Sequence, residues 1–214
     1  MKNVGLLVGT LLLTLIVVVV VAVVFTKKTA PTPIVENPNA ALYLADERNY
    51  KGGSATGSAT LVEFSDFQCP ACKASQYLID QMVEKYADKL KIVYRHFPLR
   101  QIHPNAAIAA RAAEAAANQG AFFAYHDVLF DKQEAWASDK DPRTKFVEYA
   151  TSLGLNTTTF QKDLNDASLD TRISKDESDG LALSVNATPT FFLNGKRVEI
   201  GDLQAALEAA INGK

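Results

Sequence analysis

Residues 64–75 read FSDFQCPACKAS and hold the only two cysteines of the 214-residue chain. Residues 59–64 (ATLVEF) form a β-rich run that predicts a strand leading into the cysteine loop. After the loop, apolar residues recur near helical spacing. Residues 70–87 are therefore predicted to form a helix with Pro70 in its first turn, where a missing N–H is tolerated. Cys69 is expected at the N-terminus of this helix.

The next segments extend this unit into an α/β fold. Residues 91–97 (KIVYRHF) predict a second strand, which should run parallel to the first through a right-handed crossover. Residues 104–183 are rich in alanine and aromatic residues at helical spacing, which predicts a helical block. Its aromatic side chains are expected in the core, namely Phe122, Phe123, Tyr125, Phe130 and Phe146.

The C-terminal part predicts a hairpin and a helix. Residues 188–200 (TPTFFLNGKRVEI) contain two β-rich runs joined by Asn194-Gly195, a dipeptide typical of a type I′ turn. Residues 202–211 predict a last helix with Asp202 as its N-cap. The order strand, helix, strand, helical block, hairpin, helix indicates two halves that share one sheet, with helices inserted between them.

The N-terminus predicts a membrane anchor. Residues 4–25 carry no charge, and as a helix they would span roughly 33 Å against a hydrocarbon core of about 30 Å. A cleaved signal peptide is the alternative, but it has a shorter apolar region and a small-residue cleavage site, whereas this run ends in FTKK. Residues 1–28 are therefore predicted to be an uncleaved N-terminal transmembrane helix.

The anchor is followed by a tether and one domain. Residues 29–51 contain three prolines and little periodicity, which predicts an extended linker. Within it, residues 41–44 can dock on the domain. Residues 52–214 are assigned to the domain itself, with the helical insertion at about residues 99–183.

Charge and motifs exclude two classes of function. Residues 1–28 hold three lysines and no acid, so the other 186 residues carry 19 basic against 24 acidic side chains, a net charge of −5. An acidic domain without a basic stripe argues against a nucleic-acid partner. The chain also has no GxxxxGK or GxGxxG motif, which argues against nucleotide chemistry.

Several segments together carry a family resemblance. They are VEFSDFQCPACK (62–73), YRHFPL (94–99), IHPNA (102–106), AARAAEAA (109–116) and ATPTFFLNGK (187–196). From about Gly52 to the C-terminus the chain resembles the DsbA-type branch of the thioredoxin superfamily, the membrane-anchored or secreted thiol-disulfide oxidoreductases of bacteria. The resemblance implies a thioredoxin-like fold with an inserted helical subdomain. One departure is Ala71, where strongly oxidising members carry histidine, so the resemblance does not fix the redox potential.

The cysteine pair suits thiol–disulfide exchange. Only a thiolate attacks a disulfide, and a helix N-terminus favours the thiolate of Cys69 through its unpaired N–H groups and dipole. Cys72 lies one helical turn further on, within bridging distance and deeper, as a resolving thiol must. Any stabilisation of the Cys69 thiolate stabilises the reduced pair and makes the disulfide a stronger oxidant.

Three further residues are candidates for the site. Glu63 alternates with apolar neighbours in the first strand, so it lies either on a solvated face or, as the resemblance implies, partly buried where it relays the Cys72 proton. For Thr188-Pro189, the resemblance implies a cis peptide bond that faces the cysteines. It also implies that the backbone before the proline pairs with an extended substrate peptide.

The histidines do not indicate a metal site. His96 and His103 are separated by six residues, which does not match the usual three to five of a zinc site built with the two cysteines. His126 is expected to be a packed or solvent-edge helix residue. No metal and no cofactor are predicted.

The leading hypothesis is an enzyme that introduces disulfides into extracytoplasmic proteins through Cys69 and Cys72. It would be a single-pass protein of the cell membrane with its catalytic domain outside the cytoplasm, where disulfides persist. Its partners would be reduced or misoxidised client proteins and a membrane redox partner. For an oxidase, the resemblance implies a quinone-linked reoxidase.

Two alternatives stay open from the sequence. In the first, the same residues transfer electrons in the opposite direction or rearrange disulfides, as a membrane-tethered reductase or isomerase. In the other alternative, the chain is a non-catalytic tethered binding module in which Cys69 and Cys72 form a structural disulfide. A bridge across two intervening residues removes little chain entropy, which makes the structural role the weaker hypothesis.

Overall fold

The computed structural model describes Ala40–Leu44, Tyr50–Lys51 and residues 59–213. The predicted anchor, residues 1–28, and most of the predicted linker lie outside the described residues. Within the described ranges, no helix is both long and apolar enough to cross a bilayer.

The described residues form an α/β fold around one mixed sheet. Its strands are β1 (Tyr50–Lys51), β2 (Ala59–Ser65), β3 (Leu90–His96), β4 (Thr190–Leu193) and β5 (Lys196–Val198). Their order is β1-β3-β2-β4-β5, in which β2 and β3 are parallel and all other neighbours are antiparallel. The parallel pair predicted on either side of the first helix is confirmed.

The helices either cover the sheet or form the insertion. They are α1 (Ala40–Leu44), α2 (Pro70–Tyr86), α3 (Ala106–Ala117), α4 (Phe122–Asp131), α5 (Gln133–Trp136), α6 (Arg143–Ser152), α7 (Thr157–Leu164), α8 (Leu169–Ala182) and α9 (Leu203–Asn212). The helical block between β3 and β4 is where the sequence predicts it.

The C-terminal turn is confirmed, and Asp202 occupies the predicted N-cap position. Asn194 and Gly195 both have positive φ, 48° and 83°, as a type I′ hairpin requires. Asp202, however, makes no side-chain capping hydrogen bond. A 3₁₀ turn, Ile200–Asp202, leads into α9 and holds Asp202 at φ −104° and ψ −4°, not in the extended conformation from which a cap side chain reaches back to the helix.

Apolar side chains pack on both faces of the sheet. On one face, Leu61 and Ile92 pack with residues of α2 and α9 such as Ile79 and Leu203. On the other, Phe64 packs with residues of α1 and with Leu183, which directly follows α8. Leu44 is buried there together with Ala40, as expected for a segment that docks on the domain. Contrary to the prediction of an extended linker over residues 29–51, Ala40–Leu44 is helical and Tyr50–Lys51 pairs with β3.

The insertion has its own core, which extends to the cysteines. Buried side chains of α3 to α7 pack together with Phe67, Cys69, Cys72 and Tyr94. The aromatic residues predicted as core are buried except Phe123, which is half-buried at its edge. The helical insertion is therefore part of the surroundings of the cysteine pair.

A buried ion pair joins the sheet to α8. Arg95 of β3 is bound by the carboxylates of Asp176 and Asp179, and Asp176 also accepts a 3.0 Å hydrogen bond from the backbone N–H of His96. Arg95 and Asp176 are almost completely buried. Charged hydrogen bonds thus fix α8 against β3.

Candidate active site

The strand-to-helix turn after β2 places the two cysteines differently. Cys69 is the N-cap residue of α2, with extended backbone, and Pro70 occupies the first helical position. Cys69 retains 6% exposure, whereas Cys72, one turn later on the sheet-facing side, has none. Both are free thiols. The predicted difference in depth is confirmed.

The surroundings of Cys69 favour its thiolate. A hydrogen bond from the Cys72 thiol is the largest cause that lowers the pKa of Cys69, which falls from 9.0 to about 5. Burial opposes this shift, while Thr188 and the backbone N–H groups of Ala71 and Cys72 support it. The sequence predicts the N–H groups of the helix start but not the larger contribution of the second thiol.

Cys72 has the opposite environment. Burial and its hydrogen bond to Cys69 raise the pKa of Cys72 far above that of an ordinary thiol, and the charge of Glu63 adds to this. At neutral pH the pair therefore holds one anionic, slightly exposed sulfur and one protonated, buried sulfur. This asymmetry is what a nucleophile and a resolving thiol need.

The Thr188–Pro189 peptide bond is cis, as predicted. The carbonyl oxygen of Thr188 lies 3.5 Å from Cys69 Sγ, where it accepts a hydrogen bond when this sulfur carries its proton. Pro189 is half-buried and borders a groove of about 140 Å³ that Ala71, Phe191 and Ile200 also line. The structure thus brings Thr188, Pro189 and the cysteine turn together.

Glu63 lies below the cysteines and is 1% exposed. Burial raises its pKa from 4.5 to about 7. Nε2 of Gln76 lies 3.3 and 3.4 Å from the two carboxylate oxygens and also donates to the carbonyl of Cys72. The alternative that Glu63 faces solvent is wrong, because β2 is a central strand covered on both faces.

Side-chain amides hold the cysteine loop against the insertion. Gln133 of α5 donates to the carbonyls of Phe67 and Cys69 at 2.7 and 3.1 Å. Gln68 donates to the carbonyl of Ala137 at 2.8 Å and accepts from the N–H of Asn105 at 2.7 Å. The sequence carries no signal for Gln133, since its partners are more than 60 residues away.

The carboxylate of Asp66 makes a second set of contacts that sequence reasoning missed. Its carboxylate accepts hydrogen bonds from the N–H groups of Gln68 and Leu99, and it lies 2.7 Å from Nδ1 of His103. Asp two residues before a backbone N–H is a common turn signal, so the local part of this contact could have been found. The bonds to Leu99 and His103 depend on the fold.

The histidines are structural in their contacts. His126 is buried, with its ring 5.2 Å from that of Tyr94 and 5.0 Å from that of Phe130, which confirms the prediction of a packed residue. His96 lies 3.1 Å from the carboxylate of Glu114. No group of three or more His, Cys, Asp or Glu side chains suited to a metal ion occurs in the part of the chain that the structure describes.

Replacing Gln133 with leucine is expected to destabilise the protein by about 1–3 kcal/mol, because two buried carbonyls lose a donor. Urea unfolding would measure this change. Gln161→Leu, on the exposed side of α7, is the matched control and is expected to shift stability by less than about 0.5 kcal/mol. Equal effects of the two substitutions would show that the Gln133 amide does not support the loop.

The sheet, the inserted helices and a Cys-x-x-Cys turn at the start of a helix define a thioredoxin-like protein. The chain belongs to the thioredoxin family, since the Thioredoxin_4 family model, described as thioredoxin, matches residues 47–213.

Solved structures agree with this assignment. A thioredoxin-like oxidoreductase from Silicibacter pomeroyi is 28% identical, with a TM-score of 0.67 over 82% of this chain and 98% of that one. The thiol-disulfide exchange protein alpha-DsbA2 from Wolbachia pipientis is 18% identical, with a TM-score of 0.65 over 79% of this chain and 89% of that one. The fold is that of DsbA-like thiol-disulfide oxidoreductases.

One relative is an antiporter whose chain is much longer than this one. The Na(+)/H(+) antiporter NhaA of Herminiimonas arsenicoxydans is 35% identical over 191 residues, which are 87% of this chain and 29% of the antiporter. The chain thus spans between a quarter and a third of the length of that relative. The match concerns this part of the antiporter alone.

Proposed function

We propose that the protein is a thiol-disulfide oxidoreductase that donates its Cys69–Cys72 disulfide to reduced client proteins outside the cytoplasm. The observation that carries this proposal is the asymmetry of the pair. The pKa of Cys69 is lowered to about 5, largely by the Cys72 thiol, while burial keeps Cys72 protonated. Such a pair reacts through one sulfur and resolves through the other.

The reaction would proceed in two exchanges. A client thiolate attacks Sγ of Cys69, a client–Cys69 disulfide forms, and Cys72 leaves as a thiolate that takes up a proton. A second client thiolate then attacks the client sulfur of the mixed disulfide, and Cys69 leaves as a thiolate. The client loses two electrons to form its disulfide, and the protein is left as the dithiol.

The direction follows from the stability of the leaving thiolate. Hydrogen bonds from Cys72 and from the backbone N–H groups of Ala71 and Cys72 stabilise the anionic form of Cys69, and with it the reduced pair. A reduced pair that is stabilised relative to the disulfide makes the disulfide an oxidant. This favours the oxidase over the reductase or isomerase that uses the same residues.

The site also offers a place for an extended client segment. The groove beside Pro189 extends to Ala71 of the cysteine turn and is partly apolar, with Phe191 and Ile200 in its lining. We place the client backbone along Thr188 and Pro189. The dithiol must be reoxidised after each cycle, and a membrane redox partner of the quinone-linked class would do this, with residues 1–28 holding the domain at the membrane.

Redox equilibration tests the proposed direction. The full chain is incubated in graded glutathione buffers, and the reduced fraction is read by thiol alkylation. A potential of about −120 to −180 mV, the range of strongly oxidising family members and of disulfide isomerases, is expected. A potential near about −270 mV, as in thioredoxin, would overturn the oxidase proposal in favour of a reductase.

The buried carboxyl of Glu63 predicts a pH-dependent stability. Because the pKa of Glu63 is raised to about 7 by burial, the folded protein holds this proton to higher pH than the unfolded chain does. The contribution of Glu63 to stability should therefore fall as pH rises from about 4.5 to about 7 and then level off, whereas the lowered pKa of Cys69 acts in the opposite direction in the reduced protein. Glu63→Gln is expected to be about 3 kcal/mol more stable than the wild type above pH 8 and similar to it below pH 4.5.

Urea unfolding at the two pH values checks this prediction. Glu148→Gln, at an exposed position of α6, is the control and should change stability by the same small amount at both. A Glu63→Gln variant whose stability relative to the wild type does not depend on pH would show that the carboxyl ionises normally.

A further inference from the structure

Four polar side chains lie side by side under α2. Glu63 and Ser65 of β2 pair in register with Tyr94 and His96 of β3. Residues two apart on a strand share a face, so the four side chains form one patch on the side of the sheet that α2 covers. All four are about 1% exposed. We call these four residues the polar patch.

The polar patch interrupts an otherwise apolar face. The preceding residues on the same side, Leu61 of β2 and Ile92 of β3, belong to the apolar core under α2 and α9. The change to polar side chains occurs at the carboxyl ends of the two strands. Cys72 lies there as well, because it is the first buried residue of α2 and packs in one core cluster with Tyr94.

Three atoms of the polar patch have no hydrogen-bond partner among the described residues. They are Oγ of Ser65, the hydroxyl oxygen of Tyr94 and Nδ1 of His96. A buried polar group without a partner destabilises a fold by about 1–3 kcal/mol. Alanine at position 65 and phenylalanine at position 94 would fill nearly the same space without this disadvantage. Packing therefore does not explain these hydroxyls.

The Ser65 hydroxyl lies near three ionisable side chains, those of Glu63, Cys72 and Tyr94. Burial raises the pKa of Glu63, of Cys72 and of Tyr94, and the nearby Ser65 hydroxyl opposes the rise in all three. One rotatable hydroxyl therefore lies close enough to the buried thiol of Cys72 and to the buried carboxyl of Glu63 to affect the pKa of both. A serine hydroxyl both donates and accepts, which is what passing on a proton requires.

We propose that the hydroxyl of Ser65 relays the proton between the buried thiol of Cys72 and the carboxylate of Glu63. The Tyr94 hydroxyl, on the neighbouring strand, is a positioning residue that orients Ser65. This inference rests on the proposed function, because it concerns how Cys72 gains and loses its proton during exchange.

When Cys72 acts as the resolving thiol, Glu63 accepts the hydroxyl proton of Ser65 while Ser65 Oγ accepts the proton of Cys72. The Cys72 thiolate then attacks Sγ of Cys69 in a mixed disulfide, the Cys69–Cys72 bond forms, and the bound thiol leaves as a thiolate. The protein pair is oxidised and the released thiol is reduced. In the opposite direction, Glu63 returns the proton to Cys72 through Ser65.

Other titratable groups lie close to the residues of the proposed relay. They are Cys69 and Asp80 near Glu63, Asp66 near Tyr94, Glu114 bonded to His96, and His126 packed on Tyr94. Burial moves the pKa of Glu63 itself close to neutrality, to about 7. The rate of the Cys72 step is therefore expected to rise as Glu63 ionises around pH 7.

A two-phase thiol reaction separates this step from the first one. The reduced full-length protein is mixed with dithiobis(nitrobenzoate): Cys69 attacks first and releases one coloured thiolate, and Cys72 then attacks Cys69 and releases the second. Stopped-flow absorbance gives both rates across pH. Ser65→Ala is expected to slow the second phase about tenfold or more and to remove its rise near pH 7, with the first phase unchanged.

Control variants keep the result interpretable. Ser65→Thr keeps a hydroxyl and is expected to restore the second phase, whereas Tyr94→Phe is expected to slow it less than Ser65→Ala does. Ser75→Ala removes an equally buried hydroxyl that is bonded to the carbonyl of Cys72, and it should leave the ratio of the two phases unchanged. Urea unfolding is expected to show Ser65→Ala no less stable than the wild type.

The outcomes distinguish the relay from the proposed function. A normal second phase in Ser65→Ala, with its pH dependence intact, would overturn the relay while leaving thiol exchange established. Equal slowing of both phases would also overturn it, since the hydroxyl would then act on the fold or on Cys69. A wild-type protein without a second phase would contradict the resolving role of Cys72 and hence the proposed function.

Discussion

Cys72→Ser is expected to trap the protein as a mixed disulfide on Cys69, whereas Cys69→Ser is expected to form no mixed disulfide. The reason is the asymmetry of the site: Cys69 is slightly exposed and readily ionised, and Cys72 is fully buried. Without Cys72, release needs an external thiol in place of an intramolecular one, and should be slowed at least about a hundredfold. Mass spectrometry after incubation with glutathione disulfide measures the adduct.

The double variant Cys69→Ala, Cys72→Ala is the control for the structural alternative. A disulfide across two intervening residues contributes little to stability, so this variant is expected to fold as the wild type does and to lack thiol exchange. If it instead lost several kcal/mol of stability, the pair would be structural. Adduct formation on Cys72 in the Cys69→Ser variant would show that the two roles are assigned in the wrong order.

Arg95→Met is expected to destabilise the domain by about 3–5 kcal/mol, the largest stability change predicted for a single substitution. Arg95 is bound by Asp176 and Asp179 in the interior between β3 and α8. Removing it leaves two carboxylates without their buried cation, and methionine cannot replace the charged hydrogen bonds. Urea unfolding at neutral pH gives the change in the free energy of unfolding.

A neighbouring ion pair offers a matched control. Arg100 binds Glu177, which lies on α8 like the two aspartates, at 3.0 Å, but the Arg100 side chain is 45% exposed. Because water screens exposed pairs, Arg100→Met is expected to change stability by less than about 1 kcal/mol. A similar small change for Arg95→Met would show that water reaches the Arg95 cluster and that it does not hold α8 on the sheet.

The sequence predicts the features that depend on local patterns. The strand before the cysteines, the helix that begins at Pro70 and the Asn194-Gly195 turn each follow from a few neighbouring residues, and each is confirmed within one or two residues. The cis bond before Pro189 follows from the family resemblance and not from the local sequence. It is confirmed as well.

Features that depend on distant parts of the chain could not be predicted in the same way. The burial of Glu63 depends on helices that cover both faces of the sheet, and the amide of Gln133 meets its carbonyls only because the insertion folds back over the cysteine turn. Asp202 resembles a helix cap in the sequence, but the preceding 3₁₀ turn moves its backbone out of the capping conformation. Position in the fold decides each of these cases.

Several of the contacts between the insertion and the cysteine loop use neutral amides. Gln133, Gln68 and Asn105 hold the loop without a charge on either side of these hydrogen bonds. An amide does not titrate, and salt does not screen its hydrogen bonds as it screens ion pairs. A change in acidity or salinity around the protein would therefore alter the ionisation of Cys69 and Glu63 while these amide contacts stayed in place.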